Sequence, residues 1–252
     1  MQKSKTQIGL LGLVEKFVRK FVTIYYFIRS IAIKFDIFEE DFKILRKIFN
    51  NRKINVIDIG ASDGISANFF IKNLNVNNIY CFEPHFLFIE KLKKLKKKNK
   101  NIKIFNYGIS TKNENIEVYI PKIFFFNKAL YLYTYTFYNL KELKKQLSLD
   151  FLNYKKILIE KVVLKLRKFK SINNNIHLIK IDVNGYEFEI VKCLKTQITK
   201  NLPLMVIENN KKIKKISKLL SNYGYRGYYN NNGKLERYTN QKVLDIFFIA
   251  KK

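Results

Sequence analysis

Short apolar runs alternate along most of the chain with stretches whose apolar residues have helical spacing. Five apolar runs have the length of buried strands: 56–59, 79–82, 102–105, 177–181 and 204–207. Most of them are followed by a segment with apolar residues at positions i, i+3 and i+4, which predicts a helix. This order predicts an α/β fold with a mostly parallel sheet. Residues 223–229 and 243–250 alternate like a final antiparallel pair at the edge of that sheet.

The N-terminal part of the chain is apolar and basic at once. Residues 7–35 have apolar side chains on one side of a predicted helix and lysines on another. The longest run without a charge, 21–28, is far shorter than the about 20 residues that cross a membrane. Two interpretations stay open: a helix packed on the domain or on a second copy, and a helix lying on an anionic membrane surface. Residues 37–49 predict a second helix, so we expect a helical segment over 1–49 and one domain over 50–252.

A variable insert of about residues 122–170 interrupts the alternation and is dense in aromatic side chains, at 124–126 and 131–138. Two roles stay open for these rings: a lid that stacks on the sugar of an acceptor, and an ordinary hydrophobic cover. Within the insert, residues 140–149 predict a helix and residues 157–166 predict an exposed strand. No linker rich in proline, glycine or serine marks the insert as a separate domain.

The formal net charge of +29 predicts attraction to anionic surfaces, namely lipid headgroups, acidic glycans or nucleic acid. Its weight is reduced because the surplus is mostly lysine and is spread along the whole chain. The two cysteines, Cys81 and Cys193, are far apart and lack C-x-x-C spacing, which argues against a disulfide scaffold or a zinc site. We therefore expect a cytoplasmic protein without a metal, with a possible peripheral contact at the inner face of the membrane.

A glycine-bounded turn directly follows the first predicted strand. Gly60 and Gly64 would let the backbone turn sharply and come close to a ligand, while backbone N–H groups face whatever lies above the strand end. Asp58, Ser62 and Asp63 add side-chain oxygens around this turn. The pattern predicts a ligand site at the carboxyl end of the strand.

An acidic residue after the second predicted strand indicates which ligand. Glu83 lies nineteen residues after Gly64. In nucleotide-binding α/β folds, a separation of about 20 residues places a carboxylate on the ribose hydroxyls. Asp58 stands where the first glycine of G-x-G-x-x-G would be, and a carboxylate there opposes a pyrophosphate. The residues therefore favour S-adenosylmethionine, which carries a sulfonium and an ammonium, over NAD.

Five motifs carry a resemblance to a known family: VIDIGASDG at 56–64, FEP at 82–84, NYGIS at 106–110, IKIDVNGYE at 179–187 and VIE at 206–208. Together they resemble the FkbM-type family of S-adenosylmethionine-dependent methyltransferases. The resemblance implies a class I methyltransferase fold, Rossmann-like, with a mostly parallel seven-stranded sheet, an antiparallel C-terminal strand and N-terminal helices. It implies S-adenosyl-L-methionine as the cofactor. The predicted cofactor-binding residues are Asp58, Gly60, Ala61, Ser62, Asp63, Gly64, Glu83, Pro84, Ile109 and Ser110.

Three carboxylates near the later strand ends are the predicted catalytic residues. By the resemblance, Asp182 orients the acceptor or acts as its base, and Glu187 and Glu208 support it. Capping of a helix N-terminus by Asp182 and Glu187 is the alternative without catalysis. Asn184 stands where the family pattern D-V-E-G-x-E has its first glutamate. Unlike that carboxylate, an amide cannot take up a proton at neutral pH.

The function expected from these features is O-methylation of a sugar or glycan hydroxyl, as many members of the family are thought to perform. A nucleic-acid methyltransferase is the second alternative. The charge of +29 supports it, whereas the absence of an N-P-P-Y-type block after the fourth predicted strand argues against it. A protein that binds the cofactor but is inactive is the third alternative, and it rests on Asn184. The oligomeric state cannot be predicted from these features.

Overall fold

The structure is a computed structural model that describes residues 41–125, 128–132, 135–152 and 154–251. The predicted helix over 7–35 and the start of the one over 37–49 lie outside the described residues. Two compact units emerge from the chain. The sheet unit lies within Glu39–Asn115 and Leu164–Lys252, and the insert unit includes Ile116–Val163. The predicted division into 1–49 and 50–252 stays a prediction.

The described residues contain strands and helices in an alternating order. The strands are β1 Ile54–Ile59, β2 Val76–Phe82, β3 Ile102–Phe105, β4 Gly108–Ser110, β5 Glu114–Phe125, β6 Lys128–Tyr131, β7 Leu158–Lys168, β8 Leu178–Ile181, β9 Leu204–Glu208, β10 Tyr225–Asn231, β11 Lys234–Arg237 and β12 Asp245–Ala250. The helices are α1 Ile44–Phe49, α2 Ile65–Asn73, α3 Phe86–Lys98, α4 Leu140–Asp150, α5 Glu187–Cys193, α6 Lys195–Asn201 and α7 Ile213–Ser221, with short 3-10 turns at Asp41–Lys43 and Tyr154–Lys156. None of these described helices is long and apolar enough to span a membrane.

The main sheet has eight strands in the order β11-β10-β12-β9-β8-β1-β2-β3. The five strands from β9 to β3 are parallel, and β12, β10 and β11 are antiparallel. The predicted α/β fold is confirmed, but the sheet has one more strand and more antiparallel strands than expected. The extra strand, β11, follows an Asn232-Gly233 turn with φ of 49° and 83° at its two residues, the conformation that closes two-residue hairpins. Because the sequence of this strand, KLER, is mostly polar, the pattern of apolar residues does not predict it.

The core of the sheet unit lies on both faces of the parallel strands. Every residue of β1 is buried, which is why its sequence is a nearly continuous apolar run. Ile57 and Ile59 face one hydrophobic cluster, whereas Val56 faces the other. On that second face, Phe42 stacks on Phe70 of α2 at 5.5 Å between ring centroids. The two covered faces leave only the strand ends open to a ligand.

The strand ends of β1 and β8 are held together by a close backbone contact at Gly60. Ile59 pairs with Ile181, and the Asp182 N–H donates to the Ile59 carbonyl at 3.1 Å. A Cβ on Gly60 would lie 1.9 Å from the carbonyl oxygen of Asp182, and the φ of Gly60 is +76°. The close approach that requires glycine here is to the neighbouring strand end, and the predicted approach of Gly60 to a ligand stays a prediction.

The insert unit has its own small core. β5 pairs antiparallel with β6, and Asn139 caps α4 by accepting from the Lys141 and Glu142 N–H groups. The buried residues of this core are Leu132, Tyr135, Leu143, Leu147, Phe151 and Ile157. The Tyr135 hydroxyl donates to Asp150 at 2.9 Å. Phe124 and Tyr138 are exposed, and residues 126, 127, 133 and 134 lie outside the described residues, so the lid and the hydrophobic cover both stay predictions.

Gly60→Ala tests the contact between the two strand ends. We expect a loss of about 3–5 kcal/mol in the free energy of unfolding, because the left-handed backbone strain and an overpacked contact add. The measurement is denaturant unfolding of both proteins. Gly224→Ala is the matched control, because its φ is +83° but no atom lies within 4 Å of the added Cβ. It should cost about 1–2 kcal/mol. Equal losses in the two variants would contradict the contact.

Candidate active site

Acidic side chains gather where the parallel strands end. Asp58 pairs with Lys180 in the sheet, and Asp182 lies two residues further along β8. Lys180 pairs with Val206, and Glu208 lies two residues beyond that, opposite Asp245 of β12. Because side chains two apart on a strand point to the same face, these carboxylates share one face of the sheet at its carboxyl edge. Ligands of open α/β sheets bind at this edge.

Lys180 lies at the centre of this acidic edge, and the sequence analysis did not single it out. Its ammonium is 3.2 Å from Asp182 Oδ2 and 3.7 Å from Asp58 Oδ1, and it donates to the Gly60 carbonyl at 3.3 Å. The side chain is only 7% exposed. A lysine inside the buried run 178–181 was the available signal, because a charge placed there needs a buried acidic partner.

Asp58 is fully buried, and among the described residues neither of its carboxylate oxygens accepts a hydrogen bond of ordinary geometry, although the Ser66 hydroxyl and the Lys180 ammonium lie near enough to favour its ionised form. Burial raises the pKa of Asp58, although the Lys180 ammonium opposes the rise. Buried carboxylate oxygens are nearly always hydrogen-bonded in proteins, so this pair is an exception that a ligand could satisfy. Two carboxylates, Asp58 and Asp182, against one ammonium leave a formal charge of −1 when both are ionised. The group therefore fits a cationic ligand.

Glu83 connects two loops at the same edge. Its Oε2 accepts from the Ser62 N–H and its Oε1 from the His85 N–H, each at 2.8 Å. The residue is 5% exposed, and burial raises its pKa to about 7. Each carboxylate oxygen has a second lone pair, so this structural role leaves room for ribose hydroxyls. Ribose binding by Glu83 stays a prediction.

Glu187 is buried beneath the turn that follows β8. Its Oε1 accepts from the Val183 N–H at 3.0 Å and the Gly185 N–H at 2.9 Å, and its Oε2 accepts from the Asn210 amide. Burial raises the pKa of Glu187. Both backbone donors precede α5, and this helix has no side-chain cap hydrogen bond, so Glu187 stabilises the turn before the helix and does not cap the helix N-terminus. Its supporting part in catalysis stays a prediction.

Glu208 and Asp245 form a pair of carboxylates on neighbouring strands. Burial, together with repulsion from Asp182, raises the pKa of Glu208 to about 8 and that of Asp245 to about 7. The Asp182 side chain is 45% exposed and Glu208 is half-buried, whereas Asp58 and Glu83 are buried. Asp182 and Glu208 are thus the two carboxylates placed to meet a molecule that approaches the edge.

The remaining predicted cofactor residues lie in two places. The turn 60–64 has left-handed backbone at Ser62 and Gly64, and Asp63 is 3.7 Å from Lys91 of α3. Ala61 lies in this turn and is buried, and Pro84, which follows Glu83, is half-buried. Ile109 packs in the hydrophobic cluster of Ile57 and Ile59, on the face opposite Asp58.

Ser110 belongs with Ile109 to β4, which pairs in parallel with β7. Ser110 is 1% exposed, and its hydroxyl donates to Glu114. The structure therefore brings Asp58, Glu83, Asp182 and Glu208 to one edge, whereas Ile109 and Ser110 are buried in a separate strand pair. The adenine contact predicted for these two residues stays a prediction. Among the described residues, no group of three His, Cys, Asp or Glu side chains is arranged to hold a metal ion.

The strand order and the acidic carboxyl edge define the fold as that of a class I methyltransferase. The methyltransferase FkbM domain matches residues 58–226, which is more than half of the chain. The chain therefore belongs to the FkbM methyltransferase family, as the sequence motifs predicted. A search of the curated proteins finds no match.

Three solved structures that are similar to this chain are distant from it in sequence. The methyltransferase FkbM from Methylobacillus flagellatus KT is 12% identical over 78% of this chain and 43% of its own, with a TM-score of 0.48. The chain thus spans less than half of that protein. The ribosomal protein L11 methylase from Lactobacillus delbrueckii subsp. bulgaricus is 9% identical over 83% of this chain and 75% of its own, with a TM-score of 0.45. TrmK from M. capricolum, solved with S-adenosyl-homocysteine, is 14% identical over 81% of this chain and 65% of its own, with a TM-score of 0.40.

The raised pKa of Glu208 predicts a pH-dependent stability. A carboxyl whose pKa rises from 4.5 to about 8 on folding holds its proton longer in the folded state, so stability falls as pH rises between these values. Glu208→Gln removes this titration. We expect the variant to unfold at a higher temperature than the parent at about pH 8.5 and at a similar temperature at about pH 5.

Thermal unfolding across this pH range measures the effect. Glu90→Gln is the control for charge removal, because Glu90 lies on the exposed face of α3 in an ion pair with Lys93 at 2.7 Å. Its curve should run parallel to that of the parent protein. If the Glu208→Gln curve is also parallel, Glu208 titrates normally and is not held protonated by its neighbours.

Proposed function

We propose that this protein is an S-adenosylmethionine-dependent O-methyltransferase that acts on a sugar or glycan hydroxyl. The observation that carries the proposal is the fully buried Asp58 carboxylate, which accepts no hydrogen bond of ordinary geometry among the described residues and has the Ser66 hydroxyl and, at 3.7 Å, the Lys180 ammonium near it. The Asp58 oxygens can therefore accept further hydrogen bonds, and the group of Asp58, Asp182 and Lys180 carries an excess negative charge. A cofactor with an ammonium and a sulfonium meets both needs.

S-adenosylmethionine is the cofactor that membership of the family implies. Bound at this edge, it would supply a methyl group activated by the positive sulfur. In our proposal Asp58 holds its ammonium and Glu83 receives the ribose hydroxyls. Four N–H groups of the turn 60–64 already donate within the protein, to the Phe82 and Ala61 carbonyls and to Glu83, so the expected row of free N–H groups above the strand end is not formed. The family match supports this choice, and the acidic edge is chemically suited to it.

The acceptor hydroxyl needs a group that takes its proton, because an unperturbed sugar hydroxyl does not ionise at neutral pH. We propose that Asp182 orients the hydroxyl and takes the proton, with Glu208 beside it. As the acceptor oxygen bonds to the methyl carbon, the carbon–sulfur bond breaks and its electron pair stays on sulfur. The Glu208 pKa of about 8 lies near the working pH of most enzymes, which suits a group that shares a proton.

A glycan is the proposed acceptor class for two reasons. The insert is rich in tyrosines, whose rings stack on sugars and whose hydroxyls bond to them. The turn after β8 reads DVNG rather than the N-P-P-Y-type block of amino-methylating enzymes of nucleic acids. We further propose a cytoplasmic location, with the predicted helix over 7–35 contacting an anionic membrane. That helix lies outside the described residues.

Asp58→Asn tests the cofactor site. The amide has the shape of the carboxylate without its charge, so we expect affinity for S-adenosylhomocysteine to fall by about 10- to 100-fold, since a charged hydrogen bond contributes about 1.5–3 kcal/mol. Stability should fall only modestly, because Lys180 loses one buried acidic partner but keeps Asp182 at 3.2 Å. Calorimetry measures the affinity, and thermal unfolding measures the stability. Glu90→Gln is the control and should bind like the parent; unchanged affinity in Asp58→Asn would defeat the assignment.

Methyl transfer from labelled cofactor tests the reaction. We expect label in a polysaccharide fraction and not in RNA from the same cells, and it should resist mild alkali because a methyl ether does not hydrolyse there. Asp182→Asn should lower the rate by about 100-fold or more while retaining S-adenosylhomocysteine binding. Label in RNA would overturn the glycan acceptor, and alkali-labile label would indicate a methyl ester instead. Cofactor binding with no label in any fraction would favour an inactive protein.

A further inference from the structure

A cleft of about 370 Å³ lies in the sheet unit next to the acidic edge. It begins at Asn209, directly after Glu208, and its other wall is the loop over 238–242. Asn209 fixes this wall: its N–H donates to the Leu244 carbonyl at 2.7 Å and its side-chain amide to the Val243 carbonyl at 2.9 Å. The volume is within the about 300–1,000 Å³ range of small-molecule sites. The cleft therefore has a wall fixed by hydrogen bonds and is large enough for one or two sugar units.

The free polar groups of the cleft are cationic. Lys211, Lys214 and Lys242 line it and are exposed, and within the described part of the chain none of them has an acidic partner. No carboxylate is among the described residues that line the cleft. Lysines elsewhere do have such partners: Lys93 and Lys192 pair with Glu90 and Glu189. The three unpaired ammonium groups give the cleft a local positive field beside a negative edge.

Three amide side chains of the cleft, those of Asn209, Asn210 and Gln241, hold its shape. Gln241 Oε1 accepts from the N–H groups of Thr239 and Asn240, and Asn210 bonds to Lys212 and Glu187. Asn240 has a φ of +133°, a strained conformation for a residue other than glycine. Strained residues persist where the surrounding contacts enforce them, and they cluster at ligand sites. The lysines and the Tyr238 ring are left to contact a ligand.

We propose that this cleft binds the anionic part of the methyl acceptor, a sugar unit that carries a carboxylate or a phosphate. The proposal rests on the proposed function and names the class of its acceptor. The adjoining charges orient the acceptor. The carboxylates Asp182 and Glu208 repel an anion, whereas the three lysines of the cleft, two of which lie three and six residues beyond β9, attract it. The acceptor is thereby oriented with its anionic group in the cleft and a hydroxyl toward Asp182. Tyr238 offers a ring face to the sugar.

The test compares two triple variants with the same change in net charge. One is Lys211→Gln, Lys214→Gln and Lys242→Gln; the control is Lys96→Gln, Lys98→Gln and Lys100→Gln, at exposed positions in and after α3. The probes are a uronic-acid oligosaccharide, a sugar phosphate, a neutral oligosaccharide of equal length and a single-stranded oligonucleotide. Binding is measured in about 0.15 M salt, where distant charges are screened.

We expect the parent protein to bind an anionic sugar at least about tenfold more tightly than the neutral one, and the cleft variant to lose that preference. The control variant should keep it, and both variants should bind S-adenosylhomocysteine like the parent. The uronic acid and the sugar phosphate, compared directly, show which anion is preferred. Equal losses in the two variants, or no preference for the anionic sugars, would overturn the proposal. So would an oligonucleotide bound more tightly than any sugar and lost only in the cleft variant.

Failure of this proposal can be told apart from failure of the proposed function. Methyl transfer to a neutral glycan at the same rate in the parent and the cleft variant would overturn the anionic site and leave the glycan methyltransferase intact. Binding of the anionic sugar that the cleft variant loses, without methyl transfer to any fraction, would uphold the site and count against the enzyme.

Discussion

The buried ammonium of Lys180 is the group on which the acidic end of the sheet depends. An ionised carboxylate as deeply buried as Asp58 is very costly unless an opposite charge lies close to it. Lys180 supplies that charge to Asp58 and Asp182 together and also donates to the Gly60 carbonyl. One side chain therefore links the turn 60–64 after β1 with Asp182, the proposed catalytic carboxylate after β8. The remaining negative charge is what makes the edge receptive to a cation.

The sequence predicted the parallel core of the fold because apolar runs record burial on both faces of a strand. It predicted Asp58, Asp182 and Glu208 at one edge because strands that run parallel end on the same side. It could not predict β11, whose polar residues carry no burial signal, or the part that Glu187 has in its own turn. Lys180 was visible as a lysine in a buried run, but its two carboxylate partners became apparent only with the strand register. The lysine cleft needed the loop over 238–242, which is distant in sequence from α7.

Asn184 departs from the family pattern in a way that suits the backbone at this position. It has a φ of 53°, and the following Gly185 has a φ of 97°. Asparagine adopts this left-handed conformation more readily than glutamate does. The turn directs the N–H groups of Val183 and Gly185 onto Glu187, so its shape matters to the start of α5. Because Asn184 is exposed, the missing charge leaves no buried partner unsatisfied.

The backbone contact at Gly60 restricts how such an enzyme can diversify. With the β1 turn pressed against the Asp182 carbonyl, neither strand end can shift to suit a bulkier or differently shaped molecule. Variation in what the protein accepts must then arise in the surrounding loops, where insertions and exchanges are tolerated. An engineer who wishes to redirect this scaffold should leave the strand tips alone and randomise the stretch between β11 and β12.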